Sequence, residues 1–130
     1  MTTTIWAGED PVTAARRVYA KEVCARSFED DLYLHLNNPR AIVYKDSRSL
    51  VLARPIDSLD RYDEITDPSY NAQAPDAWWV YLLVGDFRRL FDLVPHDLPL
   101  FGWERNNVPR FYSFNHVKRW MLSPHTSILH

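Results

Sequence analysis

Residues 77–84 read Ala-Trp-Trp-Val-Tyr-Leu-Leu-Val, the longest uninterrupted apolar run in the chain. Eight residues, rich in aromatic and branched side chains and bounded by Asp76 and Gly85, predict a strand buried on both faces. Such a strand belongs at the middle of a sheet. It is far too short for a membrane-crossing helix, which needs roughly 20 apolar residues. Neighbouring strand residues point to opposite faces, so Trp78 and Trp79 meet different environments, and one facing solvent would mark a protein interface.

Working outward toward the C-terminus, Gly85-Asp86 turns this strand into a predicted helix, with Phe87, Leu90, Phe91 and Val94 at helical spacing and Pro95 as its stop. Pro99–Trp103 reads as the next strand. A helix joining two strands normally makes a parallel crossover, so these two strands should run parallel and part near Gly85. Val108–Leu122 is expected as a helix, with Pro109 in its first turn and an apolar stripe of Phe111, Phe114 (or Tyr112), Val117 and Met121.

Toward the N-terminus, Arg40–Lys45 and Ser49–Ile56 flank a short polar connection and predict an antiparallel hairpin that pairs with 77–84. Thr2–Ala7 is β-branched and aromatic, a short first strand. Glu9-Asp10-Pro11 marks a helix start, followed by a stripe of Val12, Ala15, Val18, Tyr19 and Val23. Ser27, with Asp30 three residues on, caps a second helix over about Phe28 to Leu36, which Asn37-Asn38-Pro39 ends. Residues 57–76 show no clear period and few apolar anchors, so they are expected as a long mobile loop. Residues 124–130 are expected as a loose tail.

At 130 residues the chain makes one domain, residues 1–130. Its 18 aromatics and net charge of −2 exclude intrinsic disorder. A pI near 6.2 and a mild split, net −4 over residues 1–76 and +2 over 77–130, argue against a nucleic-acid partner. The single cysteine, Cys24, excludes an intramolecular disulfide and reads as a buried thiol on the first helix. No secretory leader is visible at the start, and a cytoplasmic protein is the default expectation.

The expected order is β-α-α-β-β-β-α-β-α, an α+β single-domain mixed sheet with flanking helices. It resembles the acyl-CoA N-acyltransferase (GCN5-related N-acetyltransferase) fold. The most local part of the resemblance is the strand ending in Glu104-Arg105-Asn106-Asn107, followed by Arg110-Phe111-Tyr112. The resemblance implies that Asn106 or Asn107 contacts the pantetheine arm of acetyl-CoA and that Tyr112 lies near the thiolate leaving group. It also implies that Gly85, Arg88 and Arg89 cradle the pyrophosphate. A narrower resemblance, carried by Asn106, Arg110 and Phe111, is to acetyltransferase-like internal virion proteins of podoviruses. It implies a phage or prophage origin and, in that case, a place in the virion.

The residues depart from that family in ways with physical consequences. Asn106 and Asn107 stand six and five residues before Tyr112, where the family's spacing is seven. The turn at 83–89 has one glycine, and Asp86 stands where free amides should meet phosphate. A carboxylate there caps a helix and repels an anion.

Glu104 and Glu64 are the candidate general bases, with His96 and His116 as alternatives. The acids Asp57, Asp60, Asp63, Glu64 and Asp67 lack the glycine of a calcium loop and have Arg61 among them, so no metal site is expected. The expectation is therefore a non-catalytic binding or structural module without a cofactor, meeting a protein partner or a second copy through exposed aromatics. The alternative is a CoA-dependent N-acyltransferase that uses acetyl-CoA, with Tyr112 and Glu104 as its catalytic pair.

Overall fold

The computed structural model describes residues 2–21, 26–57, 59–86, 88, 92–105 and 108–116. Its chain order is β1 (Thr2–Thr3), α1 (Pro11–Tyr19), α2 (Phe28–Leu36), β2 (Ile42–Lys45), β3 (Leu50–Ile56), α3 (Tyr62–Thr66), β4 (Ala77–Val84), β5 (Leu100–Arg105) and β6 (Val108–Ser113). One mixed sheet runs β2-β3-β4-β5-β6, with β1 added beside β4. No helix among the described residues is long and apolar enough to cross a membrane.

Local chemistry sets the helix starts. The Asp10 carboxylate accepts from the Thr13 amide (2.7 Å), and Pro11 occupies the first turn, where a missing N–H costs nothing. Ser27 and Asp30 form a reciprocal capping box at the start of α2. Two boundaries differ from expectation. The first strand is only Thr2–Thr3, because the chain turns at Trp6–Glu9 with Gly8 at φ 78°. Helix α1 ends at Tyr19 with Ala20 as its cap, before Val23. Val23 and Cys24 lie outside the described residues, as do Phe87, Leu90 and Phe91 of the expected third helix and residues 117–130.

Every residue of β3 and β4 is buried, as a central position requires. The two pair antiparallel along their full length. Their register slips once: Leu52 faces Leu82 and Ala53 faces Val80, so Tyr81 is an extra residue with no opposite number. Trp79, Tyr81, Leu82 and Val84 pack on the face covered by α1, α2 and α3, while Trp78, Val80 and Leu83 pack on the other. Trp78 and Trp79 do face opposite ways, but both are buried, 5% and 2% exposed, so neither is a solvent-facing interface residue.

On its far edge β4 pairs in parallel with β5 for three residues only, from Ala77↔Leu100 to Trp79↔Gly102. Beyond that the strands part. Because β3 holds the other edge throughout, β1 takes up the edge that β5 leaves, at Leu83 and Val84. The result is a fork whose floor is Trp79 and Gly102 and whose far end is occupied by β1.

The largest correction concerns residues 108–113 of the expected last helix. This segment is not a helix but β6, antiparallel to β5 from Arg105↔Val108 to Leu100↔Ser113, followed by a helical turn over 114–116. The register leaves only two residues between the strands, a hairpin connection of the shortest kind. Gly102 is the residue that makes the pairing possible. A Cβ there would lie 2.6 Å from the Arg110 carbonyl oxygen and 2.6 Å from the Phe111 ring, which covers the glycine and packs on Trp79 (5.7 Å between centroids). The 57–76 segment also holds an element the sequence pattern did not show. Helix α3 is seated by Ile65, which is fully buried.

Candidate functional site

The expected catalytic pair does not converge. Register pairs of β5 and β6 put Phe101, Trp103 and Tyr112 on one face and Gly102, Glu104 and Phe111 on the other. Tyr112, on a strand rather than a helix, stacks on Trp103 (4.8 Å) and on His116 (6.3 Å). Glu104 accepts a hydrogen bond from the Tyr62 hydroxyl of α3 (2.8 Å) across the sheet from Tyr112. Of the other candidate bases, Glu64 pairs with Arg61 (3.0 Å), and the His96 ring lies tilted against Phe114 (4.5 Å).

The turn after β4 is occupied by the fold itself. Gly85 adopts φ 96°, and a Cβ there would lie 2.2 Å from the Arg48 carbonyl oxygen in the β2–β3 connection. The glycine is thus required by a close approach of two backbones. Asp86 accepts from the Arg88 amide (2.9 Å) and from its guanidinium Nε and Nη2 (3.2 Å each). Arg89, Asn106 and Asn107 lie outside the described residues.

Two further acids of 57–76 likewise turn to internal partners. Asp57 accepts from the Tyr70 hydroxyl and from the Gln73 amide, and the tyrosine bond foremost holds its carboxyl below the usual range. Asp67 accepts from Ser69, with the same effect.

A different cluster stands out, one the sequence reading did not single out. Asp31 and His35, one turn apart on α2, and Arg54, in the middle of β3, are each no more than 1% exposed. Asp31 Oδ2 accepts from the hydroxyls of Tyr19 and Tyr81, both at 2.6 Å, and Oδ1 lies 3.4 Å from Arg26 Nε. Burial raises both tyrosines above the usual phenol range, and the Asp31 bond adds to it. The His35 ring lies against Tyr81 (5.0 Å), and its Nδ1 meets the Asp31 carbonyl oxygen at 2.8 Å, which assigns the proton to Nδ1. Burial, helped by the Arg54 charge, pushes His35 down to about 4, so the ring is neutral at pH 7 and Nε2 is a buried acceptor with no partner.

Arg54 is the most unusual member. Its Nη2 donates to the carbonyls of Ile65 and Asp67 (2.7 Å to the latter) and reaches that of Glu64 at 3.5 Å. It therefore pins the C-terminal end of α3 to the sheet. Its Nε and Nη1 are buried and unpartnered, and its charge lies 5.5 Å from the Tyr81 ring centre. Burial pulls its ionisation down to about 10.

The sequence carried a signal for this cluster. Arg54 is the only charge in the run Ser49–Ile56, and Asp31 and His35 share a helix face at a spacing of four.

No protein-family model matches this chain, and neither does any curated protein or any solved structure.

Proposed function

We propose that this chain is a non-catalytic binding or structural module built on an acetyltransferase-like α+β fold, in line with a phage or prophage origin. One observation carries the reading: the turn that would cradle a pyrophosphate is engaged by the fold. Gly85 is a glycine because of the Arg48 carbonyl, and the Arg88 amide and guanidinium are held by Asp86. A pyrophosphate needs free amides and uncompensated cations at that place. It meets instead a carboxylate that already takes up the Arg88 amide and guanidinium, so neither is left to hold an anion. The described residues of the turn do not fit acetyl-CoA. A protein partner or second copy is the occupant this reading favours, and the exposed apolar side chains it would use are Trp6, Tyr33, Leu36 and Tyr62.

A second reading, a CoA-dependent N-acyltransferase, is favoured by the fork. Between Trp79 and Leu83 the edge of β4 is paired with neither β5 nor β1, and Tyr81 bulges there. Calorimetric titration of the chain with acetyl-CoA separates the two. The module reading predicts a dissociation constant weaker than about 1 mM and tighter binding in Asp86→Gly. A low-micromolar constant for the unaltered chain overturns it in favour of the enzyme.

A further inference from the structure

Arg54 is a fully buried cation, and among the described residues no carboxylate lies within ion-pair distance of it. The nearby acids have other partners: Asp31 takes two tyrosine hydroxyls and Arg26, and Asp67 takes Ser69. What holds Arg54 is the main chain of α3, through one nitrogen. Carbonyls at a helix end carry partial negative charge and are a weak substitute for a carboxylate.

Helix α3 is itself short and uncapped. It has five residues and no side-chain cap at Arg61. Its flanks are tied by Leu59 on the core and by the Tyr70–Asp57 hydrogen bond, and α3 itself by Arg54, by the buried Ile65 and by the exposed Tyr62–Glu104 hydrogen bond. Short segments without a capped helix start open more readily than the long strands they cover.

We propose that residues 59–70 form a strap that gates a carboxylate-binding site centred on Arg54, with the strap's carbonyls standing in for the ligand when it is closed. Lifting the strap frees Nη2 beside the already unpartnered Nη1, and the two together present the fork that takes a carboxylate bidentately. The Tyr81 ring, against which Arg54 lies, forms one wall. The charge balance selects the ligand. Arg26 is compensated by Asp31, and the Asp67 charge that faces Arg54 in the closed form leaves with the strap, so the open form has one positive charge to be matched. A monoanion matches it, while a phosphate dianion leaves an excess buried charge. The inference does not rest on the function proposed above, since the Arg54 site does not involve the turn after β4.

The test uses acetate as probe, exchanged against chloride at constant ionic strength. Acetate should raise the melting temperature, shift the Arg54 Nε–H resonance and speed amide exchange over residues 62–67, because it binds the open form. Phosphate at pH 8 should do less. Arg54→Met should lose the response.

Tyr62→Phe leaves the buried cluster intact and removes the hydroxyl clasp to Glu104. Losing one ordinary hydrogen bond should tighten apparent acetate affinity by about three- to fivefold. The proposal is overturned if acetate and chloride act alike, if phosphate acts as strongly as acetate, if a folded Arg54→Met responds like the parent, or if Tyr62→Phe binds acetate no more tightly.

Discussion

Under α1, α2 and α3, the sheet buries Asp31, His35 and Arg54 beside Tyr19 and Tyr81; on its other face Phe101 packs on Phe114 (4.7 Å) and on Trp103 (5.5 Å), and among the described residues no buried charge accompanies them. The aromatic face is held by area and shape, which are non-directional and tolerate small changes. The helix-covered face is held in part by directional bonds whose loss strands a charge or a hydroxyl. The two faces should therefore fail differently when altered.

The largest contrast is expected at Asp31. Asp31→Leu leaves the hydroxyls of Tyr19 and Tyr81 and the Arg26 charge without their acceptor, a loss of roughly 3–5 kcal/mol. Phe114→Leu on the aromatic face should cost about 1–2 kcal/mol, a cavity cost alone. Urea denaturation of both variants checks this, and equal losses would erase the distinction between the faces.

Acid sensitivity sharpens it further. His35 is held neutral, with its pKa lowered from 6.5 to about 4 by burial. Between those values the unfolded chain binds the proton and the folded chain does not, so stability is full above about pH 6.5 and falls as pH drops toward 4. By pH 5 the loss from this group is about 2 kcal/mol, and below about pH 4 it levels off. The carboxylates with lowered values, among them Glu9, Asp10 and Asp57, add their own loss only below their ordinary range. Melting curves at pH 7 and 5 should thus differ in the parent and hardly at all in His35→Phe.

How much of this the sequence carried depends on whether a residue's role is local. AWWVYLLV marks a central strand in any context, and Ser27 with Asp30 marks a helix start, because each signal acts within a few residues. Segment 108–113 was misread for a local reason. Phe111 and Phe114 also fit helical spacing, and Pro109 suits a first helical turn as well as an edge strand. The competing signal was the pair Asn106-Asn107 between two β-rich runs, at the length of a tight hairpin connection.

The candidate site was less legible. Asp31, His35, Arg54 and Tyr81 come from three elements, and only the packing of α2 on the bulged part of β4 brings them together. Arg54 within an apolar strand was a visible anomaly whose partners, main-chain carbonyls 10 to 13 residues on, leave no trace in residue type.

The central claim is that the turn after β4 serves the fold and not a phosphate. Its most direct test is the stability of Gly85→Ala. At φ 96°, with the Arg48 carbonyl oxygen 2.2 Å from the new methyl group, neither backbone can yield cheaply. The account predicts a loss of roughly 3 kcal/mol or more in urea denaturation, from backbone strain and overpacking together. A Gly85→Ala chain as stable as the parent would contradict it, because the glycine would then be needed for something other than the fold.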